Sequence, residues 1–124
     1  MPTLFEKHYY PRMGDFDSKE EYQCATWLDR HEEVEFWVRN LVRKNGSSFF
    51  LQNATKRFYP DFVCKLKDGR ILVVEYKGGD RWEGAKPDRE LGKLWAELSE
   101  GKCLFVMVKD KNWAGIDDLI RSEA

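Results

Sequence analysis

An α/β fold, with a mixed central sheet flanked by helices, is the class this sequence predicts, and three observations carry it. Residues 58 to 66 and 70 to 77 read as two strands joined through Lys67, Asp68 and Gly69, a hairpin signal with glycine available for a positive φ angle. A helix-period stripe follows, and then Cys103 to Val108, a continuous apolar run of strand length consistent with burial on both faces. The 124 residues suffice for one compact domain and are too few for two ordinary ones, so residues 1 to 124 are read as a single domain.

Residues 1 to 17, with Phe5, His8, Tyr9, Tyr10, Pro11 and Phe16, show no clean period and are expected to form an irregular, aromatic-anchored arm. Ser18 followed by Glu21 is a capping-box pattern, and Glu21, Ala25 and Leu28 recur at helical spacing up to Asp29 or His31. Val34, Phe36 and Val38 alternate with Glu35, Trp37 and Arg39 as a strand does, ending near Asn40. Asn45 to Ser48 supply turn chemistry before a short strand at Phe49, Phe50 and Leu51. Beyond the hairpin, Pro87 and Asp88 suit a helix first turn, Leu91, Leu94, Trp95 and Leu98 form its apolar stripe, and Gly101 suits its exit. Ile116, Leu119 and Ile120 mark a closing helix, which gives the order αβββαβα.

Composition narrows the function. Hydrophobic residues make up 42% and charged residues 35%, a globular mixture, and the net charge of −1 argues against coating nucleic acid by bulk positive charge while leaving room for a local basic groove. No apolar run approaches membrane-spanning length and the N-terminus lacks a signal-peptide core, so no membrane partner and a cytoplasmic location are expected. Cys24, Cys64 and Cys103 are odd in number and set in apolar stretches, which predicts reduced core thiols rather than disulfides or a zinc knuckle. There is no GxxxxGK[ST] phosphate loop for ATP and no Gly-x-Ser-x-Gly elbow around Ser47 and Ser48.

The hairpin makes a testable statement about charge. A three-residue loop of Lys67, Asp68 and Gly69 sets Leu66 opposite Arg70, which places Asp61 across from Glu75, Tyr59 across from Lys77 and Val63 across from Val73 on one face. The other face, Phe62, Cys64, Leu66, Leu72 and Val74, is wholly apolar. A two-residue loop would put Asp61 and Glu75 on opposite faces; glycine at the third loop position favours the first register. Directly opposed carboxylates repel, and a hard divalent cation such as magnesium offsets this while keeping open positions for a phosphate. Lys77 points to the same face, within reach of an attacking water or a phosphate. Asp and Lys are disfavoured in strand interiors, so three charged groups at one end of one face point to function.

Tyr59-Pro60-Asp61 followed by Glu75-Tyr76-Lys77 resembles the P-D…E-x-K pattern of the PD-(D/E)xK nucleases. Phe58 to Phe62, Asp68 to Gly78, Trp37 to Asn40 and Lys7 to Tyr10 are further similar to the C-terminal endonuclease domain of type III restriction enzyme Res subunits, so the resemblance covers nearly the whole chain. It implies a restriction-endonuclease-like αβββαβ core and a metal-dependent DNA endonuclease. It also implies Mg2+ as cofactor, Mn2+ as its substitute, and Asp61, Glu75 and the Tyr76 backbone carbonyl as metal ligands, with Lys77 positioning or polarising the water. A carboxylate from the first helix is implied as well. Glu21 fits that role, with Glu20 in reserve, although Glu21 equally reads as the second half of the capping box. The Res subunits carry a helicase motor on the same chain and this sequence has none. The resemblance therefore implies an excised domain or a free-standing relative, with a helicase or methyltransferase subunit as partner, a homodimer as another arrangement, and a binding module active only with its partner as the alternative function.

Lys86, Arg89 and Lys93 fall on one stripe of the second helix and read either as a phosphate track or as a solvated face. The segment from Gly78 to Lys86 is glycine-rich and attached to the catalytic strand; Trp82 in it suits base stacking or anchoring to the core. Trp37, Trp95 and Trp113 suit packing, and His8 and His31 show no metal-ligand spacing and are expected at the surface.

Overall fold

The computed structural model describes residues 3–4, 6–7, 12–13, 19–40, 51–52 and 57–122. Ser18, His8 and the turn at 45 to 48 lie outside the described residues. The arm is not wholly irregular: β1 (Thr3–Leu4) pairs antiparallel with β2 (Arg12–Met13). Between them the backbone N–H groups of Glu6 and Lys7 donate to buried Asp29 at 3.2 and 2.7 Å. Asp29 also accepts the Trp37 indole N–H at 3.0 Å, so one buried carboxylate is satisfied while tying arm, helix and sheet together.

Helix α1 (Lys19–Arg30) turns Cys24, Ala25 and Leu28 inward, at the spacing the sequence shows. It closes on His31, which is buried rather than superficial: Nδ1 accepts the Glu33 N–H at 3.0 Å and Nε2 lies 2.7 Å from Asp117. Strand β3 (Val34–Arg39) carries a bulge between Val34 and Phe36, which shifts its faces by one residue. As a result Trp37, rather than Phe36 or Val38, is fully buried. Short strands β4 (Leu51–Gln52) and β5 (Arg57–Phe58) pair with each other, and the main hairpin is β6 (Phe62–Leu66) and β7 (Ile71–Tyr76). The expected strand from 58 to 66 is thus broken at Tyr59-Pro60-Asp61, because proline has no N–H to give a ladder.

The hairpin register is the expected one, with Val63 opposite Val73 and Cys64 opposite Leu72, and Gly69 at the loop takes φ +96°. Helix α2 (Lys86–Leu98) crosses over to β8 (Cys103–Val108), which runs parallel to β7, and α3 (Trp113–Ser122) closes the chain. The result is a four-stranded mixed sheet, ordered β3-β6-β7-β8. Cys24, Leu28, Ile116 and Ile120 from α1 and α3 cover the face of Phe62, Cys64, Leu72 and Val74. On the other face Val73, Phe105 and Met107 pack with Leu51, Phe58, Leu91 and Trp95. Each large side chain so buried contributes about 1.5–3 kcal/mol.

The stripe of α2 is rotated from its expected setting. Gly92 is buried so tightly that an added Cβ would lie 2.4 Å from the Phe105 ring. Leu91 and Trp95 turn inward with it, whereas Leu94 and Leu98 are 51% and 74% exposed. Among the described residues no helix is long and apolar enough to cross a membrane. All three cysteines are free; burial raises the thiol pKa of Cys24 and of Cys64.

Candidate active site

The break at Pro60 builds the site. Continuing the ladder one step past Phe62 and Val74 brings Asp61 to Glu75, and their side chains replace the missing strand hydrogen bonds. The Asp61 N–H donates to Glu75 Oε1 at 2.9 Å, and the Tyr76 N–H donates to Asp61 Oδ2 at 2.9 Å. Lys77 Nζ lies 3.1 Å from Glu75 Oε2. The sequence therefore correctly brought Asp61, Glu75 and Lys77 together. Because Tyr76 points its N–H toward Asp61, its carbonyl turns to the same side of the strand.

The electrostatics are those of two carboxyls in too little water. Glu75 is 5% exposed, and burial first, then the Asp61 charge, push its pKa from 4.5 up to about 9; nearby Lys77 offsets only part of this. Burial also raises Asp61, against the lowering effect of the Tyr76 N–H. The hydrogen bond between the carboxyls lowers Asp61 and raises Glu75, so the shared proton resides on Glu75 near neutral pH.

Glu21 is not brought into this pair. Its Oε1 lies 3.3 Å from Arg39 Nε, and among the described residues no group of three or more His, Cys, Asp or Glu side chains is arranged to hold a metal. Burial raises the pKa of the Tyr76 hydroxyl and the charge of Glu20 adds to this, on the side of the sheet away from Glu75. The donor set is thus two carboxylates. That suits magnesium, which binds through one or two carboxylates and otherwise keeps water and phosphate oxygens, and does not suit an ion requiring an all-protein cage.

Two neighbours escaped the sequence reading. Asn40 donates its backbone N–H to the Asp61 carbonyl at 2.7 Å and its side-chain amide to the Pro60 carbonyl at 2.9 Å, clamping the break from both sides. Arg39 lowers the pKa of Asp61 while pairing with Glu21. The bulge in β3 sets this register, and nothing in the strand's own alternation announces a bulge.

The basic stripe does not act as one surface. Arg89 is half-buried: it donates to the Trp82 carbonyl, stacks 4.1 Å from the Trp82 ring centroid and reaches the Met107 sulfur at 4.0 Å. Met107 is the cross-strand partner of Glu75, so Arg89 comes to the rim of the carboxylate pair, while Lys86 and Lys93 are exposed. Trp82, covered by Arg89 and with Lys109 Nζ 5.5 Å from its ring, anchors the two short 3-10 turns Gly79–Arg81 and Glu83–Ala85.

No family model matches the chain, and no solved structure matches it. Among curated proteins, the phosphoglycerate kinases of Streptococcus equi subsp. zooepidemicus (strain MGCS10565) and Streptococcus equi subsp. equi (strain 4047) are each 34% identical to it over 68 residues. That stretch is 52% of this chain and 17% of the kinase, so the chain spans less than a fifth of the length of these relatives.

Proposed function

We propose that this chain is a Mg2+-dependent nuclease domain of the restriction-endonuclease-like class, hydrolysing DNA phosphodiester bonds at Asp61, Glu75 and Lys77. The observation that carries the reading is the opposition of half-buried Asp61, just before β6, and buried Glu75 in β7, with Lys77 at 3.1 Å from Glu75. Such a pair is electrostatically costly for the free fold and matched to a divalent cation. Asp61 and Glu75 would hold the ion, with the Tyr76 carbonyl beside them. Bound there, magnesium supplies charge neutralisation at the phosphate and lowers the pKa of water. Lys77 sits beside the reacting phosphate and orients the attacking water, and Arg89 holds the neighbouring segment against the sheet. Lys86, Lys93 and Lys109 are candidates for contacts to the DNA backbone.

The test is cleavage of plasmid and single-stranded DNA with magnesium or manganese, comparing wild type with Lys77→Ala and Asp61→Asn. Metal-dependent cutting that both variants lose is the expected result; cutting that survives Asp61→Asn sinks the assignment. A second reading, a DNA-binding module completed by a helicase or methyltransferase subunit, draws on one specific observation: Glu21 is held by Arg39, outside the pair. A wild type that binds DNA, is stabilised by magnesium and cuts only with a partner present would favour it.

A further inference from the structure

We propose that the groove between α1 and α3 is a second site, separate from the carboxylate pair, that takes one nucleotide, its base against the Trp27 indole and its phosphate on Arg30. The inference does not depend on the chemistry at Asp61 and Glu75.

Two helical stripes face each other across this groove. Trp27 and Arg30 of α1 stand at i and i+3, and Trp113, Asp117 and Arg121 of α3 at i, i+4 and i+8. All five line one cavity of about 530 Å³, inside the range of about 300–1,000 Å³ usual for small-molecule sites.

Packing leaves both indoles partly available. Each is half-buried against the main core and also lines the groove. Each is backed by a second ring: the His31 centroid lies 4.9 Å from that of Trp27, and the Tyr76 centroid 6.1 Å from that of Trp113. His31 is itself fixed, because its Nδ1 accepts the Glu33 N–H and its Nε2, which then carries the hydrogen, donates to Asp117 at 2.7 Å. Trp27 is thus held by groups already satisfied, a preorganised flat surface of the kind on which a base stacks.

Charge selects among ligands that carry a flat ring. Arg121 is already engaged, its Nε donating to Asp117 at 2.9 Å and its Nη2 to Glu32 at 2.9 Å. Arg30 is exposed, and among the described residues its guanidinium has no hydrogen-bond or ion-pair partner. With two carboxylates beside Arg121 the groove has no excess positive field to gather a polyanion. It offers one unclaimed guanidinium, a helical turn from the Trp27 ring. A nucleotide joins one flat ring to one anion over such a span. An apolar peptide would leave Arg30 unused, and a duplex hides the faces of its bases. A free nucleotide and one unit of a single strand present the same chemistry, and the test separates them.

The experiment is titration of the full chain, in chelator, with deoxyadenosine 5′-monophosphate, deoxyadenosine and a short oligodeoxyadenylate. Calorimetry gives the affinities, and the indole N–H signals of the five tryptophans locate the ligand. The monophosphate should move the Trp27 and Trp113 signals and leave those of Trp82 and Trp95 in place. The nucleoside should bind about fivefold or more weakly than the monophosphate. Arg30→Gln, at an exposed position that spares the fold, should erase this difference. Trp27→Ala, checked for folding by circular dichroism, should weaken every ligand by about fivefold or more. Since one phosphate is engaged, affinity should fall with salt at a log–log slope of about −1 or shallower, for the oligomer too. An oligomer bound about tenfold or more tightly than the monophosphate assigns the site to single strands, and any smaller gain to the free nucleotide. No binding up to millimolar ligand overturns the proposal, as do signals that move at Trp82 instead, or a monophosphate that Arg30→Gln and folded Trp27→Ala bind as tightly as the wild type.

Discussion

Replacing Glu75 by glutamine isolates the electrostatic cost of the carboxyl pair. Glu75 is nearly sealed from water, with its pKa pushed from 4.5 up to about 9. A group whose pKa is raised on folding binds its proton more tightly in the folded state. Its contribution to stability is therefore complete below about pH 4.5, declines as pH rises and is lost by about pH 9. At 1.36 kcal/mol per pH unit the loss by about pH 8 is at most about 5 kcal/mol. Glutamine has no proton to lose and keeps an oxygen for the Asp61 N–H. Glu75→Gln is thus expected to exceed the wild type by up to about 5 kcal/mol near pH 8 without metal, the gap closing toward pH 5. Urea unfolding in chelator across that range measures it, and the difference between the two proteins cancels the titrating groups that are not coupled to Glu75. Magnesium should reverse the order at pH 8 by stabilising only the wild type. A wild type that gains on the variant as pH rises in chelator would refute the reasoning, because Glu75 would then be an ordinary ionised carboxylate with no need of a cation.

Three further outcomes follow from contacts on the same sheet. Alanine at position 61 relieves repulsion but strands the Tyr76 N–H, so Asp61→Ala should unfold about 1–3 kcal/mol more easily than Asp61→Asn in urea, and neither should respond to magnesium. Gly92→Ala should destabilise by about 1–3 kcal/mol despite the better helix propensity of alanine, since the new Cβ would sit 2.4 Å from the Phe105 ring; thermal unfolding would show it. Arg89→Ala should lower stability by about 1–2 kcal/mol and red-shift the Trp82 emission, because the guanidinium covers that ring and holds its carbonyl.

How much of this was legible in the sequence depends on whether a feature is local. The hairpin was legible because its register is set by a three-residue loop whose third position needs φ > 0, and Gly69 meets that need. The helices were legible from period and from Pro87 at the start of α2. The orientation of α2 was not, because four apolar side chains suggested a face, whereas the close approach permitted by Gly92 fixed it. A missing side chain leaves no mark in a hydrophobic pattern. Packing of Trp37 was expected, but that it displaces Phe36 and Val38 from the inward face was hidden for a related reason: the bulge in β3 converts its alternation into the opposite one beyond Glu35, and a bulge depends on the partner strand.

The site divides along the same line. Asp61, Glu75 and Lys77 belong to one hairpin, so a single register decided their meeting, and charges interrupting apolar strands exposed it. Glu21 and Asn40 reach that neighbourhood only through the packing of α1 and β3 on the hairpin, and the pattern within each element carries no distance to another. The carboxylate that the resemblance implies from the first helix drew attention to Glu21, yet the partner that claims it, Arg39, is brought to α1 by the shifted face of β3. The same shift sets Asn40 over the Pro60 and Asp61 carbonyls, which fixes the strand break that aims Asp61 at Glu75. One bulge therefore governs both what holds Asp61 in place and what withholds Glu21 from it.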